Sequence, residues 1–94
     1  MTRYTVVWHG SAQDELAELW TIARDRNAVT AAAHIIDVEL SHDAATKGVE
    51  VSERLRAFVA PPLRILFTVD EGDRLVEVVR VRRLWWAEPD RFGL

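Results

Sequence analysis

The stretch LRILFTVDEGDRLVEVVRVRR, residues 63–83, decides the fold of this chain. Apolar side chains recur at alternate positions from Leu63 to Val69, as in a β-strand that buries one face. Asp70-Glu71-Gly72-Asp73 then predicts a hairpin turn, because glycine accepts a positive φ. The run 74–83 is nearly continuous in apolar residues, which predicts a central strand buried on both faces.

The same strands carry arginines, whereas Lys47 is the only lysine in the chain. In the predicted register Val79 and Val81 share one face, and the arginines lie together on one face of the sheet with Arg83 turned away. This predicted face comprises Arg54, Arg56, Phe58, Arg64, Arg80 and Arg82. Guanidinium forks suit phosphate or carboxylate, so the face is predicted to bind anions. The alternative is that these arginines only solubilise the sheet or pair with Glu53 and Glu77.

Upstream of this hairpin the sequence predicts one strand and two helices. Tyr4-Thr5-Val6-Val7-Trp8 is rich in β-branched and aromatic residues, which favours a first strand. Ser11 is the candidate N-cap of a helix that ends near Arg26 and whose apolar stripe includes Trp20, expected in the core. Asn27 is the candidate cap of a second helix. The short connection between them predicts an antiparallel helix hairpin.

Between the helices and the decisive stretch, the apolar period changes from helical to alternating. Residues 43–48 read as a polar loop, and 51–59 as a strand with Leu55 and Ala57 on the core face. Pro61-Pro62 predicts a turn, because proline donates no ladder hydrogen bond. The predicted class is α+β: an N-terminal strand, an antiparallel helix hairpin, then a three-strand antiparallel meander, forming a single sheet with helices on one face.

The composition indicates one small domain. With 94 residues, of which 49% are hydrophobic, the chain suffices for one core. We expect a single domain over 1–94, in which 85–94 is an aromatic C-terminal tail. The lack of cysteine excludes disulfides, thiolate metal sites and a cysteine nucleophile, and favours the reducing cytoplasm. No apolar segment is long enough for a signal peptide or a membrane span, so we expect a cytoplasmic protein without a membrane partner.

Four segments, taken in order, resemble the RelE/ParE superfamily, the toxins of type II toxin-antitoxin modules. They are Tyr4-Thr5-Val6-Val7-Trp8; Ser11-Ala12 with Leu16-Ala17-Glu18-Leu19-Trp20; Leu63-Arg64-Ile65-Leu66-Phe67-Thr68-Val69-Asp70; and Val76-Glu77-Val78-Val79-Arg80-Val81. The third is the most telling, because an arginine followed by an apolar strand and an acidic turn recurs in these toxins. The resemblance implies a RelE/ParE-like fold and a toxin of the plasmid-stabilisation type that inhibits growth.

The resemblance also implies roles for the arginines. Arg64 takes the position of an arginine that contacts the scissile phosphate in RelE-like ribonucleases. If the predicted arginine face is a catalytic site, its candidate phosphate contacts are Arg64, Arg56, Arg80 and Arg82. The candidate partner-binding residues are Arg54, Arg56, Phe58, Arg64, Arg80, Arg82, Trp85 and Trp86. The implied partner is a cognate acidic antitoxin, partly disordered when free, that folds across the arginine face.

The C-terminal region departs from the nuclease pattern. RelE-like nucleases commonly present a His, Lys or Arg cluster and then a Tyr, whereas this chain has Arg82-Arg83-Leu84-Trp85-Trp86. Arginine can stabilise charge on a reacting phosphate but is no general base near neutral pH. Glu50 or Glu53 remains as a candidate base. An active enzyme would be a ribosome-dependent mRNA endonuclease, whereas a ParE-like member would poison DNA gyrase without nuclease residues; both targets stay open.

Other interpretations are also compatible with the sequence. One is a non-toxic orphan binding module of the same fold that acts only through protein contacts. A small enzyme acting on a low-molecular-weight anion has no nucleophile or cofactor motif to support it. His34 and His42 lack the i,i+4 spacing usual for helical metal ligands, so we expect no metal and no cofactor. A homodimer and a toxin-antitoxin hetero-oligomer are both possible assemblies.

Overall fold

The computed structural model describes residues 2–84, which contain two α-helices and five strands. In chain order these elements are β1 (Thr5–Trp8), α1 (Gly10–Ile22), α2 (Arg26–Leu40), β2 (Val49–Ser52), β3 (Leu55–Ala60), β4 (Leu63–Asp70) and β5 (Leu75–Arg83). A short 3-10 helix, Ala44–Thr46, lies between α2 and β2. Within the described part of the chain, neither α-helix has the length and apolar character needed to cross a membrane.

The five strands form one mixed sheet in the order β1-β5-β4-β3-β2. Strands β2 to β5 are successive antiparallel neighbours, and β1 lies parallel to β5, with Thr5 opposite Leu75 and Trp8 opposite Val78. Such a parallel pair requires a long connection, and here the helix hairpin forms part of it. The predicted α+β class is confirmed. The meander, however, has four strands rather than three, because residues 49–52 form an additional edge strand.

Both helices contribute to a core on one side of the sheet, here called the helix face. The core side chains with 0% or 1% exposure are Ala12, Ala32, Ile36, Leu40, Ala44, Leu63, Ile65, Phe67, Val76, Val78 and Val81. Burying one large apolar side chain of this kind contributes about 1.5–3 kcal/mol. The central strands β4 and β5 therefore hold most of the apolar surface that stabilises the fold.

A β-bulge in β5 shifts the predicted alternation by one residue. Leu66 of β4 pairs with Arg80 and Phe67 pairs with Val78, which leaves Val79 of β5 as the extra residue. Val78 and Val81 are consequently both buried on the helix face, and the prediction that Val79 and Val81 share one face is wrong. Strand β5 is central as predicted, but the helices of residues 2–84 cover one of its faces rather than both.

Strand β3 presents the opposite row of side chains to the core from the one predicted. Phe58 pairs with the buried Ile65, so Phe58 and the neighbouring side chain of the same row, Arg56, lie on the helix face. Ala57 and Val59 lie on the side that no helix of residues 2–84 covers, here called the open face. The prediction for β3 is wrong because both of its rows contain apolar residues, and alternation separates two faces without saying which one is covered.

The N-caps of both helices also differ from the prediction. His9 occupies the N-cap of α1 without a side-chain capping bond, and Ser11 lies inside the helix. Asp25 caps α2, since its carboxylate accepts a hydrogen bond from the N–H of Ala28 at 3.0 Å, and Asn27 lies inside that helix. The aspartate carboxylate reaches a free N–H of the first turn, which is the interaction an N-cap provides.

Gly48, just before β2, is required by the close approach of β3. Its φ is +66°, and a Cβ at this position would collide with the carbonyl oxygen of Ala57. We expect Gly48→Ala to lower the free energy of unfolding by roughly 3 kcal/mol, from backbone strain and collision together. The matched control is Gly10→Ala, where a Cβ meets no atom within 4 Å and the expected change is within about 0.5 kcal/mol. Urea denaturation measures both, and equal changes would contradict the prediction.

Candidate functional site

Arg64 lies on the open face near the start of β4, just after the Pro61-Pro62 turn. Val59 of β3 is paired with it on one side and Arg82 of β5 on the other. Side chains paired in this way have Cβ atoms about 4.5–5.5 Å apart, so Arg64 and Arg82 are close neighbours of like charge. Within residues 2–84, the side chain of Arg64 forms no hydrogen bond or ion pair. Its guanidinium is therefore available to a ligand.

The two neighbouring arginines are held by Glu15 of α1. One of its carboxylate oxygens accepts a hydrogen bond from the backbone N–H of Val81 at 2.8 Å, and the other accepts one from Arg82 Nη1 at 2.7 Å. Nε of Arg80 lies 3.2 Å from that second oxygen. Strand β1 stops opposite Val78, and beyond that point no strand within residues 2–84 pairs with this edge of β5. Helix α1 therefore places a carboxylate where a neighbouring strand would have supplied a carbonyl.

The charge state of Glu15 follows from these contacts. Burial raises the pKa of its carboxyl, but the hydrogen bonds from Arg82 and from the Val81 backbone, together with the charge of Arg82, lower it further than burial raises it. The net result is a pKa below the ordinary value of 4.5. A depressed carboxyl pKa stabilises the folded state above the unfolded pKa, and this contribution is lost as the pH falls through the folded pKa.

The pH dependence of unfolding tests this carboxylate. We expect Glu15→Gln to reduce the free energy of unfolding most above the ordinary glutamate pKa of 4.5, and the difference from the unmodified protein to fade as the pH falls through the lowered pKa of the folded state. Urea denaturation followed by circular dichroism across this range measures the difference. Glu18→Gln is the control, because Glu18 is exposed on the same helix. A Glu15→Gln curve parallel to that of Glu18→Gln would contradict the assignment.

Arg56 and Phe58 do not join Arg64, because β3 turns both to the helix face. The Arg56 guanidinium donates hydrogen bonds to the carbonyl oxygens of Lys47 at 2.9 Å and Gly48 at 3.2 Å. Phe58 packs against the core. The shared face predicted for the arginines is therefore wrong for Arg56, whose contacts hold the loop before β2.

The other predicted site residues are also separated from Arg64. Arg54 lies in the turn between β2 and β3, with a φ of +65°, and borders a shallow pocket with Asp70 at the far end of β4. Arg83 is paired with the buried Leu63 at the start of β4, so its side chain is turned away from the open face, as predicted. Trp85-Trp86 lies outside the described residues. Of the predicted arginines, the open face brings together Arg64, Arg80 and Arg82.

Comparison with known proteins identifies the architecture. No family model and no curated protein matches the chain. A chain of the RelBE2 toxin-antitoxin complex from Mycobacterium tuberculosis matches with a TM-score of 0.70 and 20% identity, over 88% of this chain and 93% of that one. This chain has the RelE/ParE fold. A chain of the chromosomal ParDE system from P. aeruginosa matches with a TM-score of 0.63 and 16% identity, over 87% and 97%. A mutant of the E. coli toxin RelE in the free state matches with a TM-score of 0.64 and 12% identity, over 98% and 99%.

In this RelE/ParE fold, the strand neighbours of Arg64 on the open face include no imidazole and no carboxylate. Glu50, a predicted candidate base, pairs with Arg56 and so lies on the helix-face side of the edge strand. His9 Nε2 lies 3.0 Å from the Glu77 carboxylate. Glu77 is itself paired with Thr68 of β4, which lies four residues from Arg64, or roughly 13 Å along the strand. The described open face offers positive charge to an anion without a free proton acceptor beside it.

The helix hairpin of the RelE/ParE fold contains an apolar groove of about 710 Å³ that the sequence did not predict. Trp8 and Trp20 line it, and their indole N–H groups donate to Asp37 at 2.7 Å and to Thr30 at 3.1 Å. Trp20 is 42% exposed, so the prediction that it lies in the core is wrong. Helical spacing located the correct face of α1, but the small side chain of Ala33 across the groove leaves the Trp20 ring partly uncovered.

Proposed function

We propose that this chain is the toxin of a type II toxin-antitoxin module, that it inhibits growth in the cytoplasm, and that a cognate antitoxin neutralises it by covering the open face. The observation that carries the proposal is the guanidinium of Arg64, which has no partner within residues 2–84 and lies on the uncovered side of a RelE/ParE fold. Solved structures with this fold come from toxin-antitoxin systems. An uncovered, cationic sheet face in such a fold is suited to binding a partner.

The chemistry of the open face favours an acidic antitoxin segment that also carries apolar side chains. Val49 and Val59 are 68% and 46% exposed there, and the partly buried Leu66 follows Arg64 on the same face of β4 and is paired with Arg80 of β5. A disordered segment that folds onto this face would bury apolar surface and pair its carboxylates with Arg64. Toxin and antitoxin would then form a hetero-oligomer.

We propose DNA gyrase rather than ribosome-bound mRNA as the cellular target. RNA cleavage by the 2′-hydroxyl needs a proton acceptor as well as cations, and the strand neighbours of Arg64, which are Val59 and Arg82, provide a cation but no proton acceptor. The sequence beyond Leu84 contains no histidine and no tyrosine. Binding and poisoning a protein target needs neither residue.

Inducible expression in a bacterial host tests the proposal. We expect growth to stop after induction and to resume when the product of the neighbouring small gene is expressed with it. DNA breaks and an SOS response would identify gyrase as the target, whereas messages cut in the ribosomal A site would identify mRNA. Undisturbed growth would contradict the toxin function and favour an orphan binding module.

A further inference from the structure

We propose that Glu15 occupies an anion site built by Arg80, Arg82 and the backbone N–H of Val81, and that a bound phosphate or carboxylate group takes its place. The inference rests on the proposed function of the open face and adds how an anionic ligand gains access to it. In the free protein the site is filled by a carboxylate of the chain itself.

The donors converge as in an oxyanion site. Glu15 receives a backbone N–H at 2.8 Å and a guanidinium N–H at 2.7 Å, with a second guanidinium nitrogen at 3.2 Å. Charge-assisted hydrogen bonds to carboxylate and to phosphate have the same range of lengths. The side chains of Arg80 and Arg82 are 50% and 49% exposed, so a ligand in solvent reaches both of them. A ligand oxyanion that replaced Glu15 would find all these donors already in place.

One carboxylate does not balance this cluster. Arg64 stands directly opposite Arg82, and like charges so paired destabilise a sheet. Glu15 contacts Arg80 and Arg82, whereas Arg64 keeps its charge without a partner among residues 2–84. The remaining positive charge attracts a further anion to Arg64. The Glu15 carboxylate repels that anion. When the carboxylate is displaced, the guanidinium groups are free to bind one ligand together.

Glu15 can leave without disrupting the core. Its carboxylate is at the end of a flexible side chain on α1 and is 27% exposed, so it can rotate into solvent. The residues that pack α1 against the sheet are others, among them Ala12, Leu16 and Leu19. The Val81 N–H lies at an edge of β5 that no other strand of residues 2–84 pairs with, so water or a ligand oxygen can accept its hydrogen bond. The exchange therefore involves local hydrogen bonds only.

Calorimetric titration with inorganic pyrophosphate at low ionic strength tests the proposal. We expect Glu15→Gln to bind pyrophosphate about tenfold more tightly than the unmodified protein, because one negative charge within a few Å of the bound anion is removed. The glutamine amide oxygen still accepts the Val81 N–H, and urea denaturation verifies the fold. Glu18→Gln makes the same change in net charge one turn further along α1, at an exposed side chain that has no contact with Arg80 or Arg82 within residues 2–84, and we expect a much smaller gain in affinity from it than from Glu15→Gln.

The location of the gain is tested by a double variant. In a protein that already carries Arg82→Gln, adding Glu15→Gln should no longer raise the affinity for pyrophosphate tenfold. The reason is that the side chains of Glu15 and Arg82 are in direct contact, so that the effects of the two substitutions are coupled. Retention of the full gain in the double variant would overturn the site.

Failure of this inference can be told apart from failure of the proposed function. The exchange of Glu15 would be overturned if Glu15→Gln bound pyrophosphate no more tightly than the unmodified protein. If Arg64→Gln still reduced the affinity for pyrophosphate in that case, the open face would remain an anion-binding surface. Absence of binding in every variant would overturn the anion site altogether. A tenfold gain in a protein that does not inhibit growth would support the site and contradict the toxin function.

Discussion

Replacing Arg64 with glutamine is expected to abolish growth inhibition while leaving the fold intact. Glutamine keeps part of the aliphatic stem but removes the guanidinium, which has no partner to lose within residues 2–84. Truncating one member of a charged, hydrogen-bonded contact at an interface costs about 2–5 kcal/mol, or roughly 30-fold or more in affinity. Colony counts after induction measure growth inhibition, and circular dichroism of the purified protein verifies the fold.

Arg54→Gln is the matched control for this experiment. It removes the same charge from an exposed turn beside Asp70, at the other end of β4. We expect Arg54→Gln to remain toxic and to be neutralised by the antitoxin as the unmodified protein is. If Arg64→Gln proved as toxic as Arg54→Gln, the open face near the start of β4 would have no part in target binding.

The largest effect on stability is expected at Phe67, in the middle of β4. Its side chain is fully buried between the sheet and the helices, among Ile36, Val76 and Val78 of the same core cluster. Phe67→Ala removes most of that volume, and such substitutions cost about 3–5 kcal/mol through lost burial and the cavity left behind. For a domain of this size the melting temperature should fall by roughly 15–30 °C. Thermal unfolding followed by circular dichroism measures the change.

Two further variants make the result at Phe67 interpretable. Phe67→Leu keeps most of the apolar volume and should cost less than half as much, which remains measurable if the alanine variant fails to fold. Ile22→Ala truncates an apolar side chain that is 57% exposed at the end of α1, and we expect a change within about 1 kcal/mol. A similar loss at Ile22 and Phe67 would contradict the location of the core on the helix face.

Much of the fold was predictable because its signals are local. The alternation of Leu63, Ile65 and Phe67 located the core row of β4 correctly, since a strand places alternate side chains on one face whatever its neighbours are. Turns at Pro61-Pro62 and 70–73 separated the strands as expected. The N-terminal strand and both helices were located from propensity and apolar period, with errors of a few residues at their ends.

The candidate site was less predictable, because it depends on which residues meet across the sheet. Arg64 was correctly assigned to the open face together with Arg80 and Arg82, but Arg56 was wrongly grouped with them. Glu15 was not among the predicted site residues. Nothing near it in sequence indicates the arginines it binds, since Glu15 and Arg82 are 67 positions apart.

By itself, the sequence determined the succession of elements, the α+β class and a cationic β-sheet, because helical and alternating periods and turn residues act over short distances. Only the tertiary structure decided that β1 joins β5 in parallel, that Phe58 rather than Ala57 faces the helices, and that Glu15 holds Arg80 and Arg82. Strand register, a bulge and a contact between a helix and a sheet edge arise from residues far apart in the chain. Their energies depend on three-dimensional packing, and for this reason the position of Arg64 on the open face, beside arginines that Glu15 holds, is evident only in the folded molecule.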